Sequence, residues 1–266
     1  MPMSPLVFIT GASSGIGQAL AQQYFFEGWR LALVGRRAHL MQAWAQERGL
    51  TPAQCRVYGA DVADHDSIIG AAQACLAELG LPDVVVANAG ISLGMDSAER
   101  EDLKVMAQTF AVNNVGLAAT FHPFISAMRE RGSGRLVGLA SVAGIRGLPG
   151  HGAYCASKAA VISYCESLRG ELRGSGVKVV TLSPGYIDTP LTRQNRYAMP
   201  FLMPAPDFAK QAVKSIALGE SHRVIPWQMA WVARLLRVLP DAWFDRILQG
   251  KPRKHRVPSQ KGGPKN

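Results

Sequence analysis

The chain has few cysteines and no pattern among them. Cys55, Cys75, Cys155 and Cys165 are the four in 266 residues, none in a C-x-x-C pair and none clustered with histidines. That spacing excludes the common zinc signatures and a dense disulfide framework. The expectation is four reduced thiols, no metal site and a cytoplasmic setting. Long apolar runs are also missing. No stretch reaches the eighteen or so apolar residues that a membrane-crossing helix needs, so none is expected. The opening MPMSPLVFIT lacks a basic n-region and runs directly into strand-like residues, which reads as no signal peptide. Charged residues are scarce, at 18% against 48% hydrophobic. That balance marks a globular chain, and its length suffices to bury a substantial core.

Acidic residues are the scarcer sign, and their absence is local. The formal charge is +10, yet the tail KPRKHRVPSQKGGPKN (251–266) holds six Lys/Arg and no acid. Without it the chain has 23 basic and 19 acidic residues, or +4. The tail is rich in Pro and Gly and reads as a basic, disordered terminus. A solvated end is the plain interpretation. No nucleic-acid partner is expected, because no aromatic residues interleave with the charges.

What is present is alternation. Short apolar runs read as strands at 6–10, 30–35, 55–61, 83–90, 134–141 and 177–185. Helical stretches lie between them at 17–28, 38–48, 66–79, 101–130 and 154–173. Continuous β-branched runs suit strands buried on both faces. Their alternation with helices implies a parallel sheet with right-handed crossovers. The expected fold class is α/β: a single Rossmann-type doubly wound parallel sheet, helices on both faces, and a small C-terminal helical extension. Residues 1–190 would form the dinucleotide-binding and catalytic core. Residues 191–250 would form a substrate lid and helical extension, and 251–266 the basic tail.

Directly after the first strand comes T10-G-A-S-S-G-I-G17. Glycines at 11, 15 and 17, where a strand turns into a helix, allow a tight turn and leave helix N–H groups facing an anion such as pyrophosphate. At the end of the second strand, dinucleotide sites carry either an acid for a ribose 2′-OH or an arginine for a 2′-phosphate. Here stand Gly35-Arg36-Arg37 and no acid. An arginine fork suits a phosphate dianion. That favours NADP(H) over NAD(H), the alternative being two plain surface charges.

Tyr154 and Lys158 lie four apart in GAYCASKAAVISY. On a helix they share a face. The pair is either an ordinary neighbour pair or a device for making a tyrosine acidic.

Taken together, these motifs resemble the classical short-chain dehydrogenase/reductase family over roughly residues 4–190. TGASSGIG (10–17) is similar to its cofactor loop, which assigns Gly11, Ser13, Ser14, Gly15, Ile16 and Gly17. Asp61-Val62 is similar to the pair that contacts adenine. Asn88-Ala89-Gly90 is similar to the motif closing the fourth strand. Pro184-Gly185, Ile187 and Thr189 in SPGYIDTP resemble the segment that holds the nicotinamide amide. Ser141, Tyr154 and Lys158 resemble the catalytic trio. Ser141 stands thirteen residues before Tyr154, in an Ala140-Ser141 pair where the family often has two serines. Asn113 in VNNVG resembles the helix asparagine that holds a proton-relay water, its N-x-x-G spacing to Gly116 separating it from Asn114.

The resemblance implies a carbonyl–alcohol oxidoreductase. Tyr154 would act as proton donor, its pKa lowered by the nearby ammonium of Lys158. Lys158 and Tyr154 would also touch the cofactor, and Ser141 would hold the substrate oxygen. The family commonly forms homodimers or homotetramers. A 3-oxoacyl-thioester reductase and a non-catalytic NADP(H) sensor are the alternatives.

Two segments beyond the motifs remain open. LTRQNRYAMPFLMPAP (191–206) carries Met199, Phe201, Leu202 and Met203 between prolines. It is either a lid over an apolar, lipid-like substrate or a packed loop. IPWQMAWVARLLRVLPDAWFDRIL (225–248) carries Trp227, Trp231 and Trp243 with Arg234, Arg237 and Arg246. It is too short and too charged to span a bilayer. With the basic residues to 256, it could lie peripherally on a membrane, form a subunit interface, or cover the site.

Overall fold

The computed structural model describes residues 4–193, 195, 198–250, 254 and 256. Six strands follow the expected alternation: β1 Leu6–Thr10, β2 Arg30–Val34, β3 Cys55–Tyr58, β4 Val84–Ala87, β5 Gly134–Leu139 and β6 Val177–Pro184. Between them run α1 Gly15–Phe26, α2 Ala38–Glu47, α3 His65–Glu78, α4 Leu103–Phe110, α5 Gly116–Arg131 and α6 Gly152–Glu171. After β6 come the short strands β7 Ile187–Asp188 and β8 Met203–Pro204, then α7 Ala205–Leu218, β9 His222–Ile225, α8 Trp227–Val238 and α9 Asp241–Leu248.

The main sheet has seven strands in the order β3-β2-β1-β4-β5-β6-β9, and every pairing is parallel. It is the expected Rossmann-type doubly wound sheet. The alternation of side chains along each strand builds two apolar layers. Leu6 and Phe8 point into one, with Ile68, Phe121, Phe124 and Val161 from α3, α5 and α6. Val7 and Ile9 point into the other, with Leu20, Met41 and Phe208 from α1, α2 and α7. Phe8 meets Phe124 edge-on, ring centroids 5.0 Å apart.

Two features depart from the sequence reading. The sheet does not stop at β6, because β9 adds a seventh strand. Its sequence HRVI begins with two exposed polar residues, so its pattern is that of a short edge strand, which carries little apolar signal. The helix expected over 101–130 is broken. Ala111–Val115 widen into a π turn between α4 and α5. Such turns insert one extra residue into a helix and commonly mark functional positions. Asn113 sits within it and is buried.

β7 and β8 pair in parallel, Ile187 with Met203 and Asp188 with Pro204. They close the base of the excursion that carries the apolar 191–206 segment. Leu191, Phe201 and Leu202 remain exposed on it. Among the described residues no helix is long and apolar enough to cross a membrane.

Candidate active site

In a parallel doubly wound sheet, ligands bind beyond the carboxyl ends of the strands, where the strand order reverses. Here the reversal lies between β1 and β4. A cavity of about 590 Å³ opens at that point.

One end of the cavity is built from the β1–α1 loop, where Gly11, Ser13, Ser14, Gly15 and Ile16 line it. Gly17 does not line it. A Cβ at 17 would collide with the Gly11 carbonyl oxygen and lie 2.5 Å from the Asn88 amide nitrogen. Gly17 therefore lets α1 approach the end of β4. Thr10 ties the end of β1 to the segment after β4. Its Oγ1 accepts from the Asn88 and Ala89 backbone N–H groups at 3.1 and 3.2 Å, and Asn88 Nδ2 donates to the Thr10 carbonyl at 2.9 Å. Asn88, Ala89 and Gly90 thereby reach the cavity wall.

Arg36 and Arg37, just after β2, lie on the same wall as Asp61 and Val62 from the end of β3. Arg37 Nη2 donates to Ser13 Oγ at 3.0 Å and to Ser14 Oγ at 2.9 Å. Arg36 Nη1 lies 3.8 Å from an Asp61 carboxylate oxygen. Ser14 precedes α1 but its side chain does not cap the helix, and the first turn holds no acid. The open N–H groups of that turn, the serine hydroxyls and two guanidinium groups form a donor-rich end. That donor set fits a phosphate-bearing dinucleotide.

The other end holds Ser141, Tyr154 and Lys158. Ser141 follows β5, and its Oγ accepts from the Ala143 N–H at 3.2 Å. Tyr154 and Lys158 occupy the first turns of α6, as their spacing required. The Lys158 ammonium lies 5.9 Å from the centre of the Tyr154 ring and donates to the Leu139 carbonyl at 2.7 Å. Pro184, Gly185, Ile187 and Thr189, at and beyond the end of β6, close this side.

The electrostatics differ from the simple expectation for a Tyr–Lys pair. Burial raises the Tyr154 phenol above its ordinary value, and a hydrogen bond with Ser141 works weakly against it. Burial likewise brings the Lys158 ammonium down to about 8. Desolvation is thus the largest cause for both groups.

Asn113 does not line the cavity but braces it from behind. Its Oδ1 accepts from the Ile91 N–H at 2.8 Å, and its Nδ2 donates to the Ile91 carbonyl at 3.0 Å and to Ser157 Oγ at 2.9 Å. The amide thus clamps the segment after Gly90 to α6, one residue from Lys158. Gly116, which separated Asn113 from Asn114 in the sequence, permits a close approach. A Cβ there would lie 2.6 Å from the Val62 carbonyl oxygen.

Sequence reasoning missed several contributors. Gly35, Ala60, Ile91, Leu139, Ala140 and Leu191 line the cavity beside residues that were named. Proximity to the motifs was their only signal. Lys254 and Arg256 had none. Lys254 Nζ donates to Ser92 Oγ at 2.6 Å. Arg256 donates to both carboxylate oxygens of buried Asp102, at 2.8 and 3.3 Å, and pairs with Glu99. These two residues form a strap against the segment that leaves Gly90, and the rest of the expected 251–266 tail lies outside the described residues.

Fold and cavity together define a dinucleotide-binding α/β oxidoreductase scaffold. The chain belongs to the short-chain dehydrogenase/reductase family: the family model described as short chain dehydrogenase matches residues 5–199. An uncharacterized oxidoreductase of Myxococcus xanthus (strain DK1622) is 40% identical over 237 residues, which cover 89% of this chain and 93% of the relative. Two solved structures share the fold. A short chain dehydrogenase/reductase from Burkholderia phymatum in complex with NAD superposes with a TM-score of 0.79 at 24% identity, covering 96% of this chain and 98% of that one. An alcohol dehydrogenase from the archaeon Thermococcus sibiricus, complexed with 5-hydroxy-NADP, gives 0.73 at 24% identity, covering 84% and 96%. Family membership supports a nicotinamide cofactor for this chain.

Proposed function

We propose that this chain is an NADP(H)-dependent oxidoreductase that interconverts a carbonyl and a secondary alcohol on an apolar or lipid-like substrate. One observation carries this reading. Ser141, Tyr154 and Lys158 share a single cavity with Arg36 and Arg37, the trio at one end and the arginines at the other.

Arg36 and Arg37 would hold the 2′-phosphate, with Ser13 and Ser14 completing the donor set. The β1–α1 loop would take the pyrophosphate, Asp61 and Val62 the adenine, and Asn88 to Gly90 the middle of the dinucleotide. Pro184 to Thr189 would hold the nicotinamide end. Bound there, the nicotinamide dinucleotide supplies or accepts the hydride.

The chain's own residues handle the proton. Tyr154 donates its phenolic proton to the substrate oxygen as that oxygen becomes an alkoxide, and takes it back in the reverse direction. Ser141 donates a hydrogen bond to the same oxygen and fixes it near the phenol. The Lys158 ammonium stabilises the phenolate that remains, an effect that grows as the site is filled and water leaves it. Asn113 is a positioning residue, because its amide is spent on Ile91 and Ser157. It holds the cavity floor and the helix turn that carries Lys158. The apolar 191–206 segment, with Leu191 on the cavity rim, would cover the substrate and favour greasy ones. A homo-oligomer is part of the same proposal.

The test is NADPH oxidation against ketones and aldehydes graded in chain length, with NADH in parallel and Tyr154→Phe as control. Turnover should rise with chain length, prefer NADPH, and vanish in the variant while NADPH binding persists. Near-normal turnover by Tyr154→Phe would refute the proton-donor role.

A further inference from the structure

α8 is apolar on two opposite sides. Its inner side carries Met229 and Ala233, both buried. Its outer side carries Trp227, Trp231, Leu235 and Val238, spaced i, i+4, i+8 and i+11, which places them on one stripe. These four and Trp243 of α9 are 60–76% exposed, and Ile247 one turn further along α9 is 48% exposed. Large side chains of this kind scattered singly need no explanation; a continuous stripe of them does.

Beside the stripe the charges of α8 are of one sign, and α9 carries Arg246 together with Asp241 and Asp245. Arg234 and Arg237 flank it on α8, and Arg246 follows Trp243 on α9. Arg234 lies over the Trp231 ring, 5.4 Å from its centre. α8 holds no acid at all. Of the two acids on α9, Asp241 is taken by Arg146.

The segment is firmly mounted. Arg146 donates to the Leu236 and Leu239 carbonyls, and its guanidinium stacks on the Phe244 ring at 3.9 Å. Arg237 donates to the Ile145 carbonyl. A Cβ on Gly185 would touch Met229. The inner side of α8 therefore rests on the turn that follows Ser141 and on the cavity-lining Gly185.

We propose that the α8–α9 face docks on the surface of an anionic lipid bilayer. Tryptophan and leucine would enter the headgroup boundary while the arginines meet lipid phosphates. A second copy of the chain fits less well. A two-fold interface pairs the patch with itself, which would gather Arg234, Arg237 and Arg246 of each copy with only Asp245 of each copy to answer them, Asp241 being held by Arg146. A docked α8 would lie against the two segments that border the candidate active site, so a lipid-like substrate would have a short path from the bilayer.

The experiment is co-sedimentation of the full chain with phosphatidylcholine vesicles, with and without 30 mol% phosphatidylserine as a typical anionic load (about one lipid in three). Tryptophan emission is followed in parallel, since three of the five tryptophans lie on the face. We expect binding to the anionic vesicles with a blue shift, and little binding to phosphatidylcholine alone. The variant Trp227→Ser/Trp231→Ser/Trp243→Ser should lose partition on the order of tenfold or more, a modest free-energy change for three buried indoles. Arg234→Glu/Arg246→Glu keeps every tryptophan and the Arg237 contact with Ile145, and should lose most of the anionic preference. Circular dichroism and unfolding midpoints check that both variants fold. Failure of the wild type to bind anionic vesicles would overturn the proposal. Undiminished binding by the tryptophan variant would also overturn it, since the basic tail alone would then suffice. A dimer that the tryptophan variant splits, without vesicle binding by the wild type, would assign the face to a second copy.

Discussion

Lys158→Met should stabilise the ligand-free protein near neutral pH and destabilise it at high pH. Lys158 is 5% exposed and has no acidic partner among the described residues; burial brings its pKa from 10.5 to about 8. A shift of that size corresponds to about 3 kcal/mol of penalty for holding the charge inside. The sign follows from linkage. The folded form binds fewer protons than the unfolded form between pH 8 and 10.5, so wild-type stability rises with pH across that window. Below it the full penalty is present; above it the amine is neutral in both states and the penalty is gone. Methionine is close in volume and carries no charge. It leaves the Leu139 carbonyl without its donor, a loss of about 1 kcal/mol. The variant should therefore gain about 2 kcal/mol at pH 7 and fall about 1 kcal/mol below wild type past pH 10.5. Urea unfolding of both proteins at half-unit steps from pH 7 to 10.5, followed by far-ultraviolet circular dichroism, measures the difference. Groups common to both proteins cancel in it. A difference that stays flat with pH, or a variant less stable at pH 7, would refute the claim that Lys158 is a buried, destabilising charge. Carbonyl turnover should be lost in the same variant, which would mark Lys158 as a residue whose stability cost is retained for function.

Further outcomes are expected. Arg36→Ala/Arg37→Ala should raise the KM for NADPH by about tenfold or more, the scale of one charge-assisted hydrogen bond, and leave that for NADH nearly unchanged; steady-state kinetics with both cofactors reads this directly. Asn113→Ala should lower stability by about 3 kcal/mol, roughly 1 for each of the three bonds lost to the part-buried Ile91 backbone groups and the buried Ser157 hydroxyl; denaturant unfolding checks it, and Asn113→Asp, which keeps the acceptor but not the donors, should recover only part. Arg256→Gln should loosen the contact with Asp102, whose carboxyl the guanidinium holds below the usual carboxylate range. A rise in KM for the carbonyl substrate of roughly threefold with kcat unchanged is the expected signature, and a fall in kcat alone would contradict it.

The sheet was legible because its strands are buried on both faces. Runs such as LVFIT and VVVA are apolar at every position, and that continuity needs no tertiary knowledge. β9 was not legible, since two of its four residues are polar and exposed and it pairs only along one edge. The π turn at Ala111–Val115 was hidden for a different reason. Its residues are ordinary helix formers by pattern, and the bulge is stabilised by what Asn113 reaches across the fold. Most motif residues that line the cavity follow a strand end, whereas Tyr154 and Lys158 were placed together by their spacing on one helix. Lys254 and Arg256 could not, because their partners stand 162 and 154 positions earlier in the chain. The electrostatic state of the Tyr154–Lys158 pair was also beyond the sequence. Spacing places the two on one face, but burial decides the direction in which each titrates.

The strap made by Lys254 and Arg256 matters for anyone handling this protein. The described chain begins at Ser4, whose carbonyl accepts from Arg30 at the start of β2, the end of the sheet opposite the cavity. At the far end of the sequence, Arg256 sits on Gly94 and Asp102, ten residues before Asn266. Chain that continues past Arg256 therefore departs from beside the segment that leaves Gly90. Chain ahead of Ser4 joins the sheet at the end away from the cavity. Immobilisation through the amino end is therefore the preferred handle, because Ser4 lies at the end of the sheet opposite the cavity while Arg256 is held beside a segment that borders it.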